Sequence, residues 1–79
     1  MPARTTVAAK YNGPVGRLLR EERGLSQASL AHSVGTHRAH LSRVEAGKKQ
    51  PSRDLVKRIA SVLCVPMAAL LIDPNIEED

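Results

Sequence analysis

"GLSQASLAHSVGTHRAHLSRVEAG", residues 24–47, decides the fold of this 79-residue chain. Three glycines divide it into two short runs, and each run carries its own start and stop signals. Ser26 stands where an N-cap belongs, ahead of a segment in which Ala28, Leu30, Ala31 and Val34 recur at helical spacing. Gly35 ends that helix, because so tight a reversal requires a residue that tolerates positive φ. Thr36 is placed to cap the next helix, which runs to about Ala46, with Gly47 just past its end.

The second of these helices turns an unusual face outward. At about 100° per residue, His37, Leu41 and Val44 fall on one side, while Arg38, Ser42, Ala46, Ala39 and Arg43 cover the other. A helix that buries only Leu41 and Val44, and exposes two arginines beside two alanines, allows close approach and offers long cationic side chains at the same surface. The B-form major groove admits such a helix, and arginine bonds guanine O6 and N7 in a bidentate manner. Glu45 falls near the apolar side and requires a cationic partner there; Arg20 in the preceding helix is the candidate. His37 and His40 are three residues apart, but no further Cys, Asp or His is spaced to complete a metal site, so no metal and no cofactor are expected. His37 reads as a donor to a phosphate or a base edge, and His40 as a half-exposed helix residue.

Outward from this pair, the rest of the chain is also helical. Tyr11 is the one aromatic residue, and the alternation that marks strands is absent. A first helix is expected from about Val15, with Leu18 and Leu19 as its apolar side and Gly24 past its end. Pro51 breaks the chain and Ser52 caps a fourth helix bearing Leu55, Val56, Ile59, Ala60, Val62 and Leu63. Cys64 reads as a small buried apolar residue in a reducing compartment, at little backbone cost if φ there is negative. A short fifth helix is expected from Met67 to about Ile72, ended by Pro74.

The organisation is therefore an irregular arm over residues 1–14, one five-helix domain over 15–72 and an acidic tail over 73–79. Charge follows the same division. Residues 1–58 hold all twelve Lys and Arg against four acids, a net +8, whereas residues 59–79 hold four acids and no base. A basic body fits a polyanionic partner. Neither a secretory leader nor a membrane span is evident, so a cytoplasmic, nucleoid-associated protein is expected. No paired carboxylates, nucleophile–base pair or phosphate-cradling loop argues for an enzyme.

The pattern Gly24, Leu25, Ser26, Gln27, Leu30, Ala31, Gly35, Thr36, Leu41, Ser42, Val44, Glu45 and Gly47 resembles the helix-turn-helix of the phage-repressor/Cro-like family, also called the XRE family. The continuation "KKQPSRDLVKRIASVLCVPMAALL" is similar to the family's as well, with Cys64 standing where glycine is commonest. The resemblance covers about residues 15–72. It implies an all-α, lambda-repressor-like fold in which the second and third helices form the helix-turn-helix. It further implies a transcription regulator of double-stranded DNA, with Arg38, Ala39 and Arg43 at base edges beside His37. Ser26, Gln27, Thr36 and Ser42 would lie against the DNA backbone, and Arg20 with Glu45 would form a structural ion pair.

Lys48, Lys49 and Arg53 follow the reading helix and are placed for further phosphates. A single helix makes few contacts, so a homodimer on a pseudo-palindrome is expected, with Met67, Ile72 and Ile76 toward the second copy. The alternative is an antitoxin or protein-interaction module of a two-gene system, whose partner would be a protein.

Overall fold

A computed structural model describes residues 10–72, so the arm before Lys10, the acidic tail and Ile76 lie outside the described residues. The elements in order are β1 (Lys10–Tyr11), α1 (Gly13–Glu22), α2 (Gln27–Val34), α3 (Arg38–Glu45), α4 (Arg53–Leu63), a 3-10 turn (Met67–Leu70) and β2 (Leu71–Ile72). The fold is all-α in class, with four α-helices among the described residues and an antiparallel strand pair in which Lys10 faces Ile72 and Tyr11 faces Leu71.

Local chemistry accounts for most boundaries. The Ser26 and Ser52 hydroxyls accept from the Ser29 and Leu55 N–H groups at 3.0 Å each, so both serines cap as their positions suggest. At α1 the Asn12 side chain accepts from Val15 N–H at 3.2 Å, and Pro14 lies in the first turn. The helix consequently begins at Gly13, earlier than the expected Val15, and residues 10–14 are not irregular.

All four helices end alike, in a Schellman motif closed by a residue in the left-handed region. For α2, Gly35 has φ 77°, Gly35 N–H donates to His32 O at 3.2 Å and Thr36 N–H donates to Ala31 O at 2.9 Å. The equivalent residues are Gly24, Gly47 and Cys64. Two expectations are corrected here. Thr36 is not the cap of α3, because its backbone is committed to the end of α2; His37 takes that place in extended conformation and makes no side-chain cap bond. Cys64 is neither buried nor at negative φ: it is exposed, at φ 60°, because the chain must reverse after α4 as it does after the other helices.

The core forms where α2 packs on both α3 and α4, and α4 in turn packs on the 3-10 turn. Leu30, Val34, Leu41, Val44, Ile59, Leu63 and Leu70 are almost wholly removed from solvent, and Tyr11 joins them from β1. The apolar side expected for α1 is corrected in part: Leu18 is 54% exposed, whereas Leu19 is half-buried and packs against the core. What α1 buries is Gly13, Gly16 and Arg20. A Cβ at Gly16 would collide with the Tyr11 ring, and one at Gly13 with the Glu45 carbonyl, so the absent side chains let α1 settle against β1 and the end of α3.

The expected fifth helix is likewise shorter. Four residues turn as 3-10, and then Leu71 and Ile72 extend to pair with β1. So short a segment gains little as an α-helix. Pairing and the 2.7 Å bond from Asn12 N–H to Leu70 O satisfy its backbone instead.

Candidate nucleic-acid interface

The buried side of α3 is Leu41, Val44 and Glu45, packed toward α2 and α1. That burial turns Arg38, Ala39, Ser42 and Arg43 to solvent, together with His37 at the helix start; Thr36 and His40 are half-buried. Lys48 and Lys49 are exposed in the α3–α4 loop, and Arg53 is exposed at the start of α4. The bond from Lys48 N–H to Arg43 O, 2.9 Å, ties the beginning of that loop to the last turn of α3.

One buried polar network fixes the end of α3. Arg20 Nε donates to Glu45 Oε2 at 2.7 Å and Arg20 Nη2 to Glu45 Oε1 at 3.1 Å, a bidentate pair with side chains 8% and 4% exposed. The third guanidinium nitrogen, Nη1, donates to Leu25 O at 2.8 Å in the α1–α2 loop. Gln27 Nε2, in the first turn of α2, donates to the same Glu45 Oε1 at 3.0 Å. Glu45 is thus shared by α1 and α2 while belonging to α3. The hydrogen bond to Glu45 holds the Arg20 guanidinium above its ordinary, already high pKa, so its charge persists at any working pH. Removal of either partner strands a charge in a site with little water.

The remaining residues fall in two groups. Ser26 is exposed, but its oxygen already accepts from Ser29 N–H and shares a 3.0 Å bond with the Ser29 hydroxyl. Met67 is half-buried against the core, whereas Ile72 is 48% exposed on the strand pair. Among the described residues no three His, Cys, Asp or Glu side chains gather where a metal could be held, and no helix is long and apolar enough to cross a membrane.

Several residues with positioning roles escaped the sequence reading. Arg58 Nη1 donates to Val34 O at 3.0 Å and so supports the end of α2 beside the Gly35 turn. Arg23 Nε does the same for α4 at Leu63 O, 2.8 Å. Gln50 Oε1 accepts from Tyr11 N–H at 3.0 Å, joining the α3–α4 loop to β1. Each pair spans 24 to 40 residues, so no local pattern announces it. The lone aromatic at position 11 was the one available signal for a core anchor.

A family model described as helix-turn-helix matches residues 17–70. The transcriptional regulator ClgR of Mycobacterium tuberculosis is 33% identical over 70 residues, which covers 85% of this chain and 62% of that regulator. The restriction-modification controller protein C.AhdI from Aeromonas hydrophila superposes with a TM-score of 0.69 at 32% identity, over 72% of this chain and 86% of that one. The N-terminal DNA-binding domain of the biofilm regulator SinR from Bacillus subtilis superposes with a TM-score of 0.67 at 28% identity, over 85% and 99% respectively.

Proposed function

We infer that this chain, which belongs to the helix-turn-helix family matched over residues 17–70, is a transcription regulator that binds specific sequences of double-stranded DNA. It is not an enzyme; its family and relatives are regulators. The observation that carries the reading is the exposed Arg38–Ala39–Arg43 face of α3, held from behind by the Arg20–Glu45–Gln27 network.

In this reading α3 lies in the major groove. Arg38 and Arg43 each favour guanine by about 1–3 kcal/mol, Ala39 meets a thymine methyl, and His37 donates to a base edge or the adjacent phosphate. Ser26, Gln27, Thr36, Ser42, Lys48, Lys49 and Arg53 lie along the backbone. They set register and add salt-dependent affinity without choosing sequence. Gln27 then serves twice, since one N–H of its amide braces Glu45 while the second remains for a phosphate oxygen or a bridging water.

Specificity beyond one half-site calls for two copies about one DNA turn apart. The second copy packs at the C-terminal side, where Ile72 is exposed and Met67 half-buried, with Ile76 adding to it. The test is selection of bound DNA from a random pool at two salt concentrations. Enrichment of a pseudo-palindrome with guanines in each half-site is expected. Enrichment of no motif refutes sequence-specific binding, and a single unpaired half-site refutes the dimer.

A further inference from the structure

The loop between α3 and α4 carries Lys48 and Lys49 without secondary structure of its own. It is fixed at its start by Lys48 N–H on Arg43 O and at its end by the Ser52 cap. Between these points lies Gln50, an exposed residue whose side chain bends back to accept the Tyr11 N–H at 3.0 Å. Among the described residues this is the one side-chain hydrogen bond made by residues 47–51.

The donor end of that bond is anchored on three sides. The Tyr11 ring is 6% exposed beneath α1, its residue pairs with Leu71, and the next N–H, that of Asn12, is bonded to Leu70 O at 2.7 Å. A loop tethered to so rigid a point loses less freedom when a partner orders it.

We propose that Gln50 is a positioning residue for DNA backbone contact: by gripping β1 it presents Lys48 and Lys49 to consecutive phosphates. The inference rests on the DNA-binding reading of the same surface. It assigns Gln50 no contact with a base, so its effect falls on the electrostatic share of binding alone.

The experiment compares the full chain with its Gln50→Met variant, which keeps side-chain length and removes the acceptor. Affinity for the selected operator and for its single-base variants is measured across a series of salt concentrations. The variant is expected to bind about three- to ten-fold more weakly at low salt, as expected when a contact side chain loses its preorganisation. The slope of log affinity against log salt should shrink by about 1, the loss of one phosphate contact, with discrimination among base variants unchanged.

In a Lys48→Ala, Lys49→Ala background, Gln50→Met should have no further effect, because it acts through those side chains. An unchanged salt slope, an additive loss in the lysine-free background, or a change in base discrimination would each overturn the proposal. If the parent chain binds no DNA, the DNA-binding reading itself has failed. Amide exchange then decides the tie separately: Gln50→Met should speed exchange at Tyr11 and Gln50, and equal rates would dismiss it.

Discussion

Replacing Cys64 by glycine should stabilise the protein. Cys64 occupies φ 60°, ψ 42°, and its N–H and that of Val65 close the end of α4 on Ser61 O and Ala60 O at 3.2 and 3.0 Å. An L-residue in this conformation costs about 1–2 kcal/mol from the crowding of Cβ against the following carbonyl. The thiol itself is exposed, so its removal forfeits almost no burial. Glycine removes the crowding but gives the unfolded chain more freedom, worth about 0.5–1 kcal/mol relative to alanine. The balance is a gain of about 0.5–1 kcal/mol, which for a domain of this size raises Tm by about 2–8 °C.

The assay is thermal unfolding followed by far-ultraviolet circular dichroism, in reducing buffer so that exposed thiols do not pair between molecules. Cys64→Ala is the control: it keeps Cβ and should gain nothing, while Cys64→Asn should fall between. A glycine variant that melts no higher than the parent, or an alanine variant that rises as much as glycine, refutes the account of strain at this turn.

Other perturbations probe the buried network and the outward face. Glu45→Ala strands the Arg20 guanidinium and the Gln27 amide and should cost about 3–5 kcal/mol in urea unfolding, whereas Arg20→Met with Glu45→Leu should recover most of it; a loss under about 1 kcal/mol for the single change would show the pair is uncoupled from stability. Burial, then the nearby Glu45 carboxylate, lifts the Tyr11 phenol to about 12 against the opposing pull of Arg20. Its folded pKa lies above its unfolded value of about 10, so its contribution is complete below pH 10 and is lost as pH rises toward 12, by about 2–3 kcal/mol. Tyr11→Phe should flatten that alkaline decline, and an equally steep one in the variant would exclude Tyr11 as its source. On DNA, Arg43→Ala should relax preference at one operator position while Lys48→Ala weakens all sequences alike, and competition with single-base operator variants would reveal reversed roles directly.

The comparison of sequence and structure separates local from distant causes. Ser26, Gly35, Gly47 and Ser52 are legible because a cap or a left-handed turn is a property of a few adjacent residues. The outward face of α3 is legible for a related reason: Leu41 and Val44 alone fix its rotation. The Arg20–Glu45 geometry follows from a charge placed where only a partner makes it tolerable. The side of α1 is a different case. Its periodic leucine, Leu18, is exposed because Gly13, Gly16 and Arg20 are drawn inward by Glu45 and by a tyrosine that precedes the helix. The 3-10 turn and β2 depend in the same way on Lys10–Tyr11, some sixty residues earlier in the chain. Gln50 carries no signal at all until β1 is in place.

The polar fastening of α3 is lopsided, and this has a mechanical consequence. Glu45, Gly13 and the Gly47 turn pin its last residues, while His37, which precedes its first turn, makes no side-chain cap bond. The side-chain hydrogen bonds that hold α3 are thus gathered at one end. Under the proposed reading Arg43, two residues from Glu45, would meet its base pair in a geometry the protein dictates. Arg38, about 7.5 Å further along the axis at 1.5 Å per residue, would sit where a small tilt becomes the largest displacement. Substituted operators should therefore be accommodated at the Arg38 end and rejected at the Arg43 end.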